Sequence, residues 1–434
     1  MEKVGVPTLT IVTSAFSSLA DNTAAGEGAP SWCKAVIEHP VGGISAEQVH
    51  ANVDKIWPEI KSKLINWKPQ DSVASATEKP YPLRTFKVKG DEATINEFMA
   101  RRHYTMSLPV ILPTKERVAK MLTGTTRAPS EVLGKVGPRD GVLTVELVAV
   151  HAVMAGCKPE YMPAIIAACE ALLDPAVNWR GCNTSTGSLT MLIVYNGPIV
   201  KKLGIASGSG AAGASQPVNN RIGYCLSLIA EVVGGSFPGV DMSNLGAPSD
   251  LVAWVVGEDE MHLPKGWDSF AVSRGFGKDQ SVVTVAGVYP GIDHMDHSAT
   301  TLDRYLEGFR SVSGMGGVFR THIGYLGTDN TNITPLIIFS PELLNFASSN
   351  GLDRAAFQKL FWEKTSLPLK YLAGINQSQL DIFAKRYGIE ITPDTMIPQT
   401  MAPEDLCIIV SGGMGKHAHM FTPFGGCASR VIGN

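Results

Sequence analysis

The chain has 434 residues, which is long enough for two or three domains with sizeable cores. Charged residues make up 18% and hydrophobic residues 44%, a composition typical of a globular enzyme whose lightly charged surface favours oligomers. The formal net charge is −3 and no stripe of Lys and Arg is present, so we expect no nucleic-acid partner.

The cysteines and the apolar segments indicate a cytoplasmic protein. Seven cysteines without a CxxC spacing argue against a disulfide framework and against a structural zinc finger. Glu2, Pro7 and several Thr and Ser residues interrupt the apolar character of the first twenty residues, so we expect no signal peptide. No apolar run reaches the length of a membrane span. We therefore predict a cytoplasmic chain without membrane contact.

Residues 1–68 predict a small α/β half-domain. Ser45 and Gln48 have the spacing of a capping box at the start of a helix with an apolar stripe. The predicted elements are a strand at Val4–Val12, a helix at Ser14–Ala25, a strand at Ala35–Pro40 and a helix from Ser45. This fragment is small for a free-standing domain.

Residues 69–105 are predicted to be a linker, because Pro, Ser, Lys and Glu are frequent there and hydrophobic periodicity is weak. Residues 106–434 are predicted to form the main α/β domain. Its expected helices follow Thr114 and Thr144 or cover 160–173, 217–233 and 298–310, and its expected strands cover 189–195, 281–288, 333–339 and 406–410. Two of these strands precede Pro198 and Pro341, which can start helices, and two such strand–Pro–helix units would suit a pseudo-symmetric domain.

The first candidate site is the run Asp293-His294-Met295-Asp296-His297. Imidazole and carboxylate groups at this density are typical of metal ligation or proton transfer. If the run precedes a helix that starts at Ser298, its side chains can converge near the helix N-terminus. The alternative is that Asp296 only caps that helix and that both histidines are solvated.

The second candidate site is the loop from Gly412 to His419, which follows a predicted strand. The amides of Gly412, Gly413 and Gly415 and the ammonium group of Lys416 are expected to hold an anion, while His417 or His419 acts as a base or ligand. The alternative is a glycine-rich turn with exposed histidines. Together the two runs predict catalytic Asp296, His297, Lys416 and His417, and zinc or iron ligands His294, His297, His417 and His419.

Other polar groups are weaker candidates. Cys182 lies in a turn-rich segment beside Arg180 and is a candidate reactive thiol. Asn196 and Arg221 are candidates for substrate positioning. The segment Gly208–Gly213 satisfies GxGxxG but does not directly follow a strand, so a Rossmann fingerprint is rejected and an anion-binding loop is retained.

Several segments resemble a mostly uncharacterised bacterial family associated with the UGSC-type (seleno)protein domain. In the main domain these are Met121–Thr125 with Pro129, His151–Tyr161, Asn196–Pro198, Asp296-His297 and Gly412–His417. Residues 1–65 resemble the second half of the UGSC domain, around Gly5-Val6-Pro7 and His39-Pro40. The motif that names the domain, Cys or selenocysteine followed by Gly-Ser-Cys, is absent from this sequence.

The resemblance implies either a small partner subunit that carries the Cys-Gly-Ser-Cys motif or a chain that has lost this chemistry. A half-domain also favours a partner or self-association. The first expectation is an enzyme that acts on a small polar or anionic molecule by thiol-assisted redox or C–S/C–N bond chemistry, as the large subunit of a two-component system. The alternatives are a zinc- or iron-dependent hydrolase or hydratase that uses the histidines, and a non-catalytic scaffold that binds a ligand.

Overall fold

A computed structural model describes residues 8–26, 32–66, 81–106, 108–238, 245–315, 335–372 and 377–433. The strands, β1 to β14 in chain order, are Thr10–Thr13, Lys34–Ile37, Val132–Val136, Gly141–Thr144, Thr190–Asn196, Trp254–Gly257, Val282–Val288, Ile292–Met295, Leu336–Phe339, Leu367–Pro368, Met396–Ile397, Cys407–Val410, His417–Phe421 and Pro423–Val431. The helices, α1 to α15, are Ser17–Gly26, Ala46–Ile65, Glu92–Arg101, Lys115–Leu122, Val145–Met154, Met162–Leu172, Trp179–Cys182, Pro198–Leu203, Pro217–Leu228, Pro248–Leu251, Phe270–Ser273, Leu302–Met315, Pro341–Ser349, Arg354–Lys364 and Gln377–Tyr387. Among the described residues, no helix combines the length and apolarity needed to cross a bilayer.

The N-terminal unit has the predicted order of strand, helix, strand and helix. Strands β1 and β2 pair in parallel, and α2 begins with the predicted capping box, in which the Gln48 amide donates to Ser45 Oγ at 3.3 Å and the Ser45 amide donates to Gln48 Oε1 at 3.0 Å. The first strand starts later than predicted, and residues 1–7, including Gly5-Val6-Pro7, lie outside the described residues.

The predicted linker contains a helix that the sequence analysis missed. Asp91 caps α3, and Met99 of this helix is buried beside Met154 and Leu228 of the main domain. Ile95, Phe98 and Met99 have the i, i+3, i+4 spacing of an apolar helix face, but this face is short and lies in a segment rich in Pro, Ser, Lys and Glu. Packing against the main domain stabilises so short a helix.

Two four-stranded sheets dominate the main domain and have the same arrangement. In the first, β6 lies parallel to β5, which lies antiparallel to β7, and β14 lies beyond β7. In the second, β12 lies parallel to β9, which lies antiparallel to β13, and β8 lies beyond β13. The strand–Pro–helix units at Pro198 and Pro341 occupy the same place in each half, which gives the domain a pseudo-symmetric strand order.

The fourth strand of each half pairs in the sheet of the other half. Strand β8 follows β7 in the chain but lies beside β13, and β14 follows β13 but lies beside β7. The crossing segments touch, because the Tyr289 amide donates to the Thr422 carbonyl at 2.8 Å. The two halves are therefore intertwined.

Side-chain alternation along the strands divides the core into three layers. Leu192 and Val194 of β5 share a cluster with Leu336 and Ile409 of the second sheet, so the two sheets pack face to face. The outer faces are covered by helices: α5, α6 and α9 on the first sheet, and α12, α13 and α14 on the second. The result is an α/β/β/α arrangement, and the predicted α/β class is confirmed.

Candidate functional site

The two histidine-bearing runs lie side by side at the edge of the second sheet. Strand β8 pairs antiparallel with β13, and His417 lies opposite Met295 while His419 lies opposite Asp293. The rings of His297 and His417 are 5.3 Å apart, centroid to centroid, at an angle of 69°. Residues more than a hundred positions apart in the chain are therefore brought together.

Strand geometry separates His294 from the other predicted metal ligands. Directly opposed residues share a face of the sheet, so Asp293, His417 and His419 lie on one face and His294 on the other. His294 is buried between Tyr305 and Phe309, and this burial lowers its pKa. In the described part of the chain, no three His, Cys, Asp or Glu side chains are grouped so that they could hold a metal ion. The four predicted ligands do not form one set.

Asp293 and His417 form the central pair of the site. The two carboxylate oxygens of Asp293 lie 3.2 and 3.3 Å from His417 Nδ1. Because a carboxylate only accepts hydrogen bonds, Nδ1 of a neutral His417 carries the hydrogen and Nε2 keeps its lone pair. The pair thus presents Nε2 as a base or ligand, next to the exposed His297.

Ser340 and Gly415 fix the backbone conformation at His417. Ser340 Oγ accepts from the His417 amide at 3.2 Å and donates to the Gly415 carbonyl, and the Ser340 amide donates to the His417 carbonyl at 3.0 Å. Gly415 has φ +102°, and a Cβ there would lie 2.9 Å from His417 Cδ2 and 3.1 Å from His297 Cε1. The glycine is required both by its conformation and by the close approach of the two rings.

Three of the four groups predicted to hold an anion already have partners within the protein. The Gly412 amide donates to the Ser207 carbonyl at 2.9 Å, and the Gly415 amide donates to Glu342 Oε2 at 2.7 Å. Lys416 Nζ donates to the Ala299 carbonyl at 2.6 Å and lies 4.6 Å from the ring centre of Phe346. Gly413 packs against Ser209, which places the predicted glycine loop 208–213 beside this one. These contacts stabilise the loop, and they occupy the Gly412 and Gly415 amides and the Lys416 ammonium group that were expected to bind an anion.

Asp296 and His419 have local roles. Asp296 accepts from the side chain and amide of Ser298 at 2.6 and 2.9 Å and from the Ala299 amide at 3.0 Å, and the Ser298 side-chain bond is the main reason that its pKa is lowered. Asp296 therefore closes a local turn and does not cap a helix. The helix begins only at Leu302, where Thr301 caps it. His419 is tilted against Trp254 and Phe421, and burial lowers its pKa.

Asn196 and Arg221 do not contact the histidines. Asn196 is fully buried at the end of β5, and its Nδ2 donates to Glu258 Oε2 at 2.5 Å and to Glu260 Oε1 at 3.0 Å. Arg221 lies on α9 beside Tyr161, in the helical layer outside the first sheet. The role in substrate positioning predicted for these two residues has no geometric link to His417.

Cys182 is also remote from the histidines. It ends α7, and its sulfur packs against Gly287 in the middle of β7 in the first sheet. Burial raises the pKa of the Cys182 thiol to about 12. Since the thiolate is the nucleophile, this environment opposes the reactivity that the sequence suggested.

The model of the UGSC family matches residues 1–66. The recognition of this part of the chain is therefore confirmed, and the match does not extend into the main domain. No curated protein and no solved structure matches the chain.

The described part of the UGSC segment consists of β1, β2, α1 and α2. Strands β1 and β2 pair only with each other, so each has one unpaired edge within the described residues. Ile11 and Val36 on these strands are 49% and 37% exposed. A parallel pair with exposed apolar side chains is unusual, because parallel sheets are normally covered on both faces.

Three residues of the site were missed or undervalued by the sequence analysis. Asp293, and not Asp296, contacts His417; Ser340 and Glu342 support the loop from the second sheet. No local signal singled out Asp293, because Ile292–Met295 has no hydrophobic alternation and is a strand only through its pairing with β13. Ser340 and Glu342 carried no signal beyond a helix start at Pro341.

Proposed function

We propose that the chain is an enzyme that acts on a small polar molecule by proton transfer at His417. Asp293 orients the ring, and His297 is the second imidazole at the reacting group. The observation that carries the proposal is the contact between Asp293 and His417 Nδ1, with the ring of His297 5.3 Å from that of His417. A positioned imidazole of this kind accelerates a reaction typically by about 10²- to 10⁴-fold.

The surroundings favour a polar substrate over an anionic one. The carboxylates of Asp293, Asp296 and Glu342 lie around the two rings, while Lys416 is held by the Ala299 carbonyl. An anion would meet this negative charge without the free amides that could offset it. The substrate class is therefore a neutral or weakly charged polar molecule.

Thiol-assisted redox or C–S/C–N bond chemistry requires a thiol other than Cys182. The raised pKa of Cys182 and its packing against the first sheet argue against this residue as the thiol. We propose that a small partner carrying a Cys-Gly-Ser-Cys motif pairs with the open edges of β1 and β2, with self-association through the same edges as the alternative. The exposed Ile11 and Val36 support such a contact. An odd number of cysteines supports a cytoplasmic location for this assembly.

The zinc- or iron-dependent hydrolase does not fit the described residues. A catalytic zinc site uses three protein ligands, and no such group occurs in the described ranges. His297 and His417 provide two imidazoles, while His294 faces the opposite side of the sheet. No metal-dependent step is therefore assigned to them.

The experiment compares His417→Gln with His262→Gln. His262 is an exposed histidine that also contacts a carboxylate, at 2.8 Å from Asp259, and is thus a matched pair outside the site. Small polar compounds are screened by NMR for conversion by the full chain, with and without added thiol. We expect His417→Gln to lower turnover of every converted compound by about 10²-fold or more, and His262→Gln to leave it unchanged.

Three outcomes would contradict the proposal. Equal turnover by wild type and His417→Gln would remove His417 from the chemistry. Zinc or iron that copurifies and is lost in His297→Ala would favour the hydrolase. No conversion of any compound, with or without a copurifying partner, would favour the scaffold.

A further inference from the structure

Two thiols lie together in the helical layer outside the first sheet, and the proposed proton transfer uses neither of them. Cys157 follows α5 and Cys225 lies in α9, and both belong to the apolar cluster that covers the first sheet. Cys157 is 9% exposed, whereas Cys225 is completely buried. His417 lies in the second sheet, so a role of these thiols is separate from the histidine site.

A glycine cap fixes the backbone of Cys157. Gly156 has φ +71°, and its amide donates to the Val153 carbonyl at 2.9 Å. The Cys157 amide donates to the Ala152 carbonyl at 2.8 Å. These two bonds form a Schellman motif at the end of α5, for which glycine in a left-handed conformation is the usual residue. The motif holds Cys157 in a defined position where α5 packs against α9.

One carbonyl of α9 brings the two thiols together. Cys157 Sγ donates to the Arg221 carbonyl at 3.4 Å. In an α-helix the same carbonyl accepts from the amide four residues later, which here is the amide of Cys225. Helical side chains lean toward the N-terminus of their helix, so the Cys225 side chain lies over the turn that contains Arg221. The two thiol groups are therefore neighbours.

Burial gives the two thiols different chemistry. Burial is the main reason that the pKa of Cys225 lies well above its ordinary value, and a hydrogen bond with the Cys157 side chain raises this pKa further. Cys225 is therefore protonated at neutral pH. Cys157 is the more exposed of the two and is the one that a small oxidant can reach.

We propose that Cys157 and Cys225 form a redox pair that hydrogen peroxide converts into a disulfide. The Cys157 sulfur attacks one peroxide oxygen, the O–O bond breaks, and water leaves while a sulfenic acid forms on Cys157. The Cys225 sulfur then attacks the Cys157 sulfur, the S–OH bond breaks, and a second water takes up the thiol proton. Two thiols are oxidised and one peroxide molecule is reduced to two water molecules. The disulfide joins the end of α5 to α9, and a thiol reductant reverses it.

The test maps disulfides in the full-length chain after treatment with hydrogen peroxide. Remaining thiols are alkylated, the chain is digested, and the peptides are identified by mass spectrometry before and after reduction. We expect a pair of peptides joined through Cys157 and Cys225 that is absent from the untreated chain and is lost on adding dithiothreitol. The chain unfolded in urea should lose this preference, because any of its seven cysteines can then meet another.

Three matched variants assign the bond. Cys157→Ser and Cys225→Ser should each abolish the cross-link, whereas Cys169→Ser should retain it, although Cys169 of α6 is a buried thiol of the same cluster. Circular dichroism checks that the variants are folded, and the mapping on wild type does not depend on any variant. No cross-link in the folded wild type, sulfinic acid on Cys157 in place of the cross-link, a bond to Cys169, or the same pairing pattern in the unfolded chain would each overturn the proposal.

Discussion

Replacing Gly415 by Ala tests whether the positions of the His297 and His417 rings require a residue without a Cβ at position 415. Gly415 and Gly412 have similar backbone conformations, with φ +102° and +107°, which L side chains rarely adopt. A Cβ on Gly412 would meet no atom within 4 Å, whereas a Cβ on Gly415 would meet both histidine rings. The pair Gly415→Ala and Gly412→Ala therefore separates backbone strain from displacement of the rings.

The expected magnitudes follow from this geometry. Each substitution should lower the free energy of unfolding by about 1–3 kcal/mol through strain. Only Gly415→Ala forces movement of the rings: its Cβ would lie 2.9 Å from His417 Cδ2, and carbon atoms prefer separations of about 3.5–4.0 Å. The ring must shift by roughly 0.5–1 Å, and a misplacement of about 1 Å costs up to about 10²-fold in turnover.

Urea denaturation and ¹⁵N-resolved imidazole spectra measure the two effects separately. We expect similar losses of stability in both variants, but shifted His297 and His417 resonances, and reduced turnover of any substrate, only in Gly415→Ala. The reasoning would be refuted if Gly412→Ala moved the imidazole resonances as far as Gly415→Ala does, or if neither variant moved them.

Three further predictions concern carboxylates and a buried ring. Asp293→Asn should allow His417 to carry its hydrogen on either ring nitrogen and should lower turnover by about 10²-fold or more, whereas Asp259→Asn beside His262 should not change turnover. Imidazole ¹⁵N shifts report the tautomer of His417, and an unchanged tautomer in Asp293→Asn would contradict this prediction. His294→Phe should leave stability unchanged or raise it by about 1 kcal/mol, because its Nε2 has no partner among the described residues; a clear loss in urea denaturation would contradict this. Burial raises the folded pKa of Glu258 from 4.5 to about 7, so the folded state binds the proton more tightly, and the free energy of unfolding should fall by about 3 kcal/mol as pH rises through this window. Glu258→Gln should remove that pH dependence, and equal slopes for wild type and variant between pH 4.5 and 8 would contradict it.

Local signals predicted several helices that are capped by their own sequence. Ser45 with Gln48, Thr114 and Thr144 each cap the helix that follows, as expected, because a capping side chain acts within a few residues. Helix α3 carries the same kind of signal, with Asp91 as its cap, but it was missed because its short apolar face lies in a polar, proline-containing segment and packs against the distant Met154 and Leu228.

The geometry of the candidate site depended on strand pairing that local patterns do not report. The segment Ile292–Met295 has no hydrophobic alternation, and it is a strand because it pairs with β13. Interpreted as a loop, it allowed all its polar side chains to converge; as a strand, it sends Asp293 and His294 to opposite faces. The same limit applies to the glycine loop, because its amide partners, Ser207 and Glu342, come from other parts of the fold.

The exchange of fourth strands means that both halves of the pseudo-symmetric domain contribute residues to the site. In the first sheet, the last residue of β5, Asn196, lies opposite Val282 of β7, and Ser281 precedes Val282 in the chain. Ser281 Oγ accepts from the Ile199 amide at 3.0 Å. In the second sheet, the last residue of β9, Phe339, lies opposite Ala418, and His417 precedes Ala418. The strand that pairs with β13 at His417 is β8, which belongs to the first half of the domain. Asp293 and His297 therefore come from one half and His417 from the other, so the contact between Asp293 and His417 exists only when the two halves are intertwined.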